Sequence, residues 1–176
     1  EGGHIQSFIT SLTDTTRDQL KTDINNIVAS TWTPLAETLY EAGLYFKGGA
    51  SYFNSGVNYT SPIQYHCQRN YVVIITDGES TQDRNSVLTN GATVGGTVFP
   101  AIGDQDGDQR EPIGARNDPH YADSGSDYLD DVAKYLYETD RRSDLTGLQN
   151  IITYTIGFTV SSSLLERTSM YGHGRY

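Results

Sequence analysis

A short apolar run that ends on a carboxylate and a glycine most constrains how this chain can fold. It occupies residues 71–78 and has the sequence YVVIITDG. β-branched residues without polar alternation are typical of a strand covered on both faces, as in the parallel sheet of an α/β protein. In such sheets ligands bind outside the carboxyl ends of the strands, where Asp77 would lie. The run therefore predicts both an α/β fold and a candidate site.

The rest of the chain alternates predicted helices with a second strand. Apolar spacing predicts helices at about 8–29, 34–46, 127–139 and 161–171. The first helix carries an apolar stripe formed by Leu20, Ile24, Ile27 and Val28. A second strand is predicted at 151–158, and two stretches rich in glycine and polar residues, 47–66 and 78–126, are predicted loops. This order favours a doubly wound, mostly parallel sheet flanked by helices.

Length, charge and cysteine content limit the kinds of molecule that this chain can bind. The 176 residues suit one domain, and 12 basic against 22 acidic residues give a formal net charge of −10. Such a charge disfavours binding to nucleic acid and suits cations. No apolar run is long enough to span a membrane, so membrane insertion is not expected. The one cysteine, Cys67, excludes a disulfide framework within the chain.

An acidic segment in the second predicted loop is a candidate calcium site. Asp104, Asp106 and Asp108 occupy alternate positions around glycines, and three carboxylates this close repel one another without a cation. The twelfth position counted from Asp104 is Ala115 rather than glutamate, which argues against an EF-hand. Calcium is favoured over a solvated acidic turn because so long a loop needs an ordering agent. Its coordination could be closed by Glu111, Asp118, Asp123 or the backbone carbonyl of Arg110.

A second candidate metal site combines Thr33 with Asp77. A hydroxyl at a helix N-terminus and a carboxylate at a strand end can converge at the same edge of a sheet, and Mg²⁺ and Ca²⁺ prefer such oxygen ligands. Spacing alone favours simpler roles for the two residues. Thr33 then caps the helix that begins at Pro34, and Asp77 is a turn residue.

Four blocks of the chain carry a family resemblance, over roughly residues 20–176. The blocks are TPLAETL at 33–39, CQRNYVVIITDGE at 67–79, YLDDVAKYLY at 128–137 and QNIITYTIGF at 149–158. Together they resemble the von Willebrand factor A domain of the PilY family, the type IV pilus tip-associated adhesins and assembly factors of bacteria. The resemblance implies a single Rossmann-like domain over residues 1–176, with an inserted loop at about 78–126.

The resemblance also implies a metal-ion-dependent adhesion site. Such a site uses an Asp-x-Ser-x-Ser loop after the first strand, a threonine that matches Thr33 and an aspartate that matches Asp77, around Mg²⁺ or Ca²⁺. No Asp-x-Ser-x-Ser occurs in these 176 residues. The first strand and last helix of the domain are therefore expected outside the sequence. Alternatively, another chain supplies the strand.

The function implied is a metal-dependent adhesion module at the tip of a type IV pilus or related bacterial filament, which also assists pilus assembly. Its expected partners are pilin or minor pilins and a host or surface ligand, and its expected location is the cell surface, at the pilus tip or outer membrane. The alternative is a purely structural calcium-stabilised domain that primes or caps filament assembly. A metal-assisted hydrolase is disfavoured because no general base lies beside a nucleophile.

Overall fold

The computed structural model describes residues 2–28, 31–109 and 123–176. Over these residues the chain forms five helices and three small sheets, so the predicted α/β class is confirmed. The helices are α1 (Asp14–Asn25), α2 (Leu35–Lys47), α3 (Ser86–Asn90), α4 (Tyr128–Glu138) and α5 (Ser163–Tyr171). The strands are β1 (Gly49–Ala50), β2 (Asn58–Tyr59), β3 (Asn70–Thr76), β4 (Ala92–Val94), β5 (Thr97–Phe99) and β6 (Ile151–Gly157).

The central sheet pairs β3 with β6 in parallel. Its register runs from Asn70 opposite Ile151 to Thr76 opposite Gly157. The second edge of β6 is covered by the last residues of the chain: the Thr153 N–H donates to the carbonyl of Gly172 at 3.0 Å and the Thr155 N–H to that of Arg175 at 3.1 Å. The strands predicted at 71–76 and 151–158 are therefore confirmed, and a short C-terminal segment extends the sheet.

Only one face of this sheet is covered by described elements. Helices α4 and α5 pack on β6, and the core includes Leu129, Val132, Ala133, Ile151 and Leu165. On the opposite face Tyr71, Val73 and Ile75 are 47%, 54% and 62% exposed. The prediction that this strand is covered on both faces is therefore wrong for the described structure. The apolar run identifies a strand, but it does not determine which elements pack against it.

Helix α1 is shorter than predicted and lies on the surface. It begins with a capping box, in which the side chains of Thr13 and Thr16 each accept a hydrogen bond from the other residue's backbone N–H. The helix ends at Asn25, and none of its residues is buried. The stripe predicted on this helix is exposed at all four positions: Leu20, Ile24, Ile27 and Val28.

Both predicted loops contain regular structure. Residues 47–66 include the antiparallel pair β1 and β2. The described part of residues 78–126 includes α3 and the β4–β5 hairpin, so this predicted loop has regular structure of its own. Gly95 and Gly96 both have positive φ, +56° and +82°, as a two-residue type I′ hairpin turn requires.

We expect the C-terminal cover of β6 to be sensitive to the size of residue 174. A Cβ on Gly174 would lie 2.1 Å from the carbonyl oxygen of Thr153, so Gly174→Ala should lower the free energy of unfolding by about 1–3 kcal/mol in urea titrations. Gly78→Ala is the matched control, because a Cβ there meets no atom within 4 Å. Equal stability of the two variants would contradict the described contact.

Candidate metal centre

The acidic loop, residues 103–109, brings its three aspartates together. One carboxylate oxygen from each of Asp104, Asp106 and Asp108 lies within 4.8 Å of the others. Gly103 and Gly107 make the loop possible, since their φ angles of +66° and +81° lie in the left-handed region that favours glycine. The clustering expected from the alternate spacing is therefore present.

Backbone N–H groups of the same loop hold these carboxylates. The Gly107 N–H donates to Asp104 Oδ1 at 2.7 Å, and the Asp108 N–H donates to Asp106 Oδ1 at 3.0 Å. The other oxygen of Asp106, Oδ2, is buried and accepts no hydrogen bond from any described residue. Burial raises the pKa of Asp106, and the charges of Asp108 and Asp104 raise it further. A bound cation would reverse that effect, because it favours the ionised carboxylate.

The loop is attached to the first turn of α4. Asp131 Oδ1 accepts hydrogen bonds from the N–H groups of Gln105 and Asp106, and Lys134 Nζ donates to the carbonyl of Gln105 at 2.7 Å. On the side of α3, the Gly103 N–H donates to the carbonyl of Leu88 at 2.9 Å. These contacts attach the start and the middle of the acidic loop to two helices.

The chemistry of the acidic loop fits a hard cation. Calcium takes six to eight oxygen ligands at about 2.3–2.6 Å, from carboxylates, carbonyls and water, in flexible geometry. Three carboxylates in one turn supply part of such a set. Of the further ligands considered above, Asp123 is not grouped with these three. Glu111, Asp118 and Arg110 lie outside the described residues.

Of the second candidate pair, Thr33 is hydrogen-bonded to the segment that follows Asp77. The Thr33 N–H donates to Thr81 Oγ1 at 2.9 Å, and the Thr81 N–H donates to the carbonyl of Thr33 at 3.0 Å. Thr81 follows Asp77 by four residues. Asp77 is exposed at the carboxyl end of β3. The structure thus connects Thr33 to the segment that Asp77 begins.

The helix cap predicted at Thr33 is provided by another residue. Helix α2 starts at Leu35, with Pro34 at the cap position and no side-chain cap of its own. Asp83 replaces it: Oδ2 accepts from the Ala36 N–H at 2.8 Å, and Oδ1 accepts from the Glu37 N–H at 2.9 Å. The prediction that Thr33 caps the helix is wrong, because a carboxylate from the segment after β3 occupies that place.

Asp83 also connects this segment to α4. Ser80 Oγ donates to Asp83 Oδ2 at 2.8 Å and accepts from the Ser126 N–H at 3.2 Å. Burial raises the pKa of Asp83 to about 6, although the N–H groups of Ala36 and Glu37 favour its ionised form. The starts of α2 and α4 therefore meet at residues 77–83.

A buried ion-pair cluster joins α4 to α5. Arg167 Nη2 lies 2.6 Å from Asp127 Oδ1 and its Nε lies 2.7 Å from Asp130 Oδ2. Both carboxylates are almost completely buried, and burial raises the pKa of Asp130 to about 8, while Arg167 acts in the opposite direction. Sequence reasoning missed this cluster. Asp127 precedes α4 and Asp130 lies in its first turn, but their partner Arg167 lies 37 residues after Asp130.

Comparison with protein-family models, with curated proteins and with solved structures found no match to this chain. Among the helices in the described part of the chain, none is both long and apolar enough to cross a membrane.

The buried Asp130 predicts a pH dependence of stability. Its folded-state pKa of about 8 lies above the usual aspartate value near 4, so the folded protein retains a proton that the unfolded chain releases. The free energy of unfolding should therefore fall as the pH rises from about 4 to 8. Asp130→Asn should reduce this slope in urea titrations at several pH values. Asp18→Asn, on the surface of α1, should leave it unchanged, and an equal slope in the parent and Asp130→Asn would contradict the prediction.

Proposed function

We propose that the acidic loop binds Ca²⁺ and that the cation stabilises an extracellular adhesion or assembly domain. The observation that carries the first step is the convergence of one carboxylate oxygen from each of Asp104, Asp106 and Asp108 within 4.8 Å. The buried Oδ2 of Asp106 supports it, since this oxygen accepts no hydrogen bond from the described residues. Taking carboxylate charge out of water is costly unless an opposite charge compensates it.

Calcium fits this loop better than magnesium. Mg²⁺ demands near-ideal octahedral geometry and keeps several of its waters, whereas Ca²⁺ accepts irregular sets of carboxylates and carbonyls. Among the described residues, Lys134 contacts the acidic loop through a hydrogen bond from Nζ to the backbone carbonyl of Gln105. A divalent ion bound by the three carboxylates would compensate their negative charge more directly.

The calcium effect extends from the loop into the core. Because Asp131 accepts two N–H groups of the acidic loop, ordering of that loop is coupled to the first turn of α4. Helix α4 in turn packs against α2, α5 and β6. This coupling favours the structural alternative, in which the cation stabilises a domain that primes or caps filament assembly and needs no partner to do so.

The proposed role in adhesion has two supports. Thr33 and Asp77 would bind Mg²⁺ or Ca²⁺, and the chain resembles PilY-type domains. Asp77 is exposed at the carboxyl end of a parallel strand, where ligands of α/β sheets bind. Thr33 is hydrogen-bonded to Thr81, which follows Asp77 by four residues. A cation at this end would complete its coordination with a carboxylate of pilin or of a surface ligand. We therefore propose a metal-dependent adhesion module at a pilus tip, with no catalytic role.

The calcium proposal predicts a gain in stability that depends on Asp106. Calcium at a hundred times its dissociation constant should raise the free energy of unfolding of the parent chain by about 2.7 kcal/mol, seen as a higher melting temperature. Asp106→Asn should lose most of this gain and most of the binding heat in calorimetry. Without calcium the variant should be at least as stable as the parent, because one repelling charge is gone.

Asp14→Asn is the matched control for this experiment. It removes one negative charge from the surface of α1, at a side chain that is 96% exposed. Its calcium response should equal that of the parent chain. Absence of calcium binding by the parent, or an unchanged response in Asp106→Asn, would overturn the assignment of the cation to this loop.

The adhesion proposal predicts a separate effect at Asp77. With magnesium or calcium present, Asp77→Ala should bind immobilised type IV pilin at least roughly tenfold more weakly than the parent. Its urea transition should stay in place because the side chain is exposed. Its calcium stabilisation through the acidic loop should also remain. Unchanged metal-dependent pilin binding would refute the role of Asp77 and leave the structural alternative.

A further inference from the structure

A small cavity lies where α2 packs against the last turns of α4. Its volume is about 90 Å³, and its walls include Tyr40 and Lys47 of α2, Tyr135 of α4 and Pro100. The Tyr40 hydroxyl donates to the Pro100 carbonyl at 2.8 Å and so joins two of these walls. Every lining residue belongs to α2, to α4 or to the loops at 100 and 140–141. The shape of the cavity therefore does not depend on what packs against β3.

The side chain of Arg141 brings a positive charge to this cavity. Arg141 is 7% exposed, and its Cζ lies 4.7 Å from the centre of the Tyr135 ring, which lines the same space. Burial raises the pKa of Tyr40, and the charge of Arg141 acts in the opposite direction, as it does when a cation lies near a phenol. The guanidinium is therefore close to both tyrosines that line the cavity.

One side of this guanidinium is used by the end of α4. Nε donates to the carbonyl of Thr139 at 3.3 Å, and Nη2 donates to the Thr139 hydroxyl. An arginine near a helix C-terminus commonly contacts the last carbonyls in this way. A guanidinium has five N–H donors, so three remain, and they form the end-on fork of Nη1 and Nη2. Within the described part of the chain, Nη1 makes no hydrogen bond.

The charges that line the cavity do not balance. None of the ion pairs between described residues involves Arg141. Asp140 also lines the cavity, but its Oδ1 accepts from the N–H groups of Arg142 and Gln149 at 3.0 and 3.1 Å. Lys47 adds a second positive charge. A buried charge is costly unless an opposite charge compensates it, and one further negative charge would balance this lining.

We propose that the cavity binds a carboxylate group, held end-on by Nη1 and Nη2 of Arg141. Arginine and a carboxylate match in geometry, because two parallel N–H···O bonds form together. Thr139 and the Tyr135 ring hold the guanidinium in place before a ligand arrives, which reduces the entropy lost on binding. The volume corresponds to about three water molecules, so the cavity holds a carboxylate with one or two carbons beside it. The inference does not depend on calcium binding.

Acetate tests the site directly. In a nitrogen-15 NMR titration at constant ionic strength, acetate should shift the Nε–H resonance of Arg141 and saturate with a dissociation constant on the order of 1 mM. Acetamide has almost the same shape but no charge, so it should give no saturable shift over the same concentrations.

Four substitutions separate the proposed contact from a general charge effect. Arg141→Gln should weaken acetate binding at least roughly tenfold, because the fork is lost. Lys47→Gln, at an exposed position, should weaken it roughly threefold, and Asp140→Asn should strengthen it by a similar factor. Asparagine keeps the oxygen that accepts the two N–H groups. Arg17→Gln, on the surface of α1, is the matched control and should change nothing.

Two peptides identify the source of the carboxylate. Tetra-alanine with a free C-terminal carboxylate and the same peptide with a C-terminal amide differ only in the group that the cavity would hold. Binding of the free-carboxylate peptide alone assigns the site to the C-terminus of a polypeptide. Binding of acetate and of neither peptide assigns it to a small free acid.

Three results would overturn the inference. The first is that acetate and acetamide give the same response. The second is unchanged acetate binding in an Arg141→Gln variant whose urea transition shows that it folds. The third is a change of affinity in the same direction in Lys47→Gln and Asp140→Asn. This last comparison decides the question even where the loss of Arg141 unfolds the chain.

Discussion

The buried carboxylate of Asp83 is the contact on which the arrangement of the candidate sites depends. It accepts the first N–H groups of α2, where the positive end of the helix dipole favours a negative charge. Through Ser80 it also reaches the start of α4. One side chain from the segment after β3 thereby fixes two helix starts at the carboxyl end of the sheet. The two hydrogen bonds between Thr33 and Thr81 join the same two segments beside it.

Aspartates at the start of α4 hold both the acidic loop and α5. The first turn of α4 uses Asp131 to hold the acidic loop and Asp130, with the preceding Asp127, to hold Arg167 of α5. Positive charge from Arg167 and Lys134 offsets part of this acidity. The aspartates of the acidic loop add charge beside it, and the raised pKa of Asp106 reflects their mutual repulsion as well as burial. A cation would relieve both this repulsion and the cost of burial.

Local sequence patterns predicted the elements that are determined by residues close together in the chain. The strands at β3 and β6, the helices α2, α4 and α5, and the clustering of alternate aspartates all follow from short-range spacing. The cap from Asp83 joins residues 46 and 47 positions apart, and the ion pairs of Arg167 join residues 37 and 40 positions apart. No periodicity encodes such contacts. The β4–β5 hairpin was visible in Gly95–Gly96 between two β-branched stretches, but the polar composition around it indicated a loop.

The two candidate metal sites should respond differently to a partner. The acidic loop is attached to α4 through Asp131 and Lys134, so a cation bound there would act on folding without a partner. Asp77 is exposed at the carboxyl end of β3, so a cation there would draw further oxygen ligands from a partner. Because coupling between two binding events is reciprocal, that partner would strengthen cation binding at Asp77 to the same extent that the cation strengthens binding of the partner.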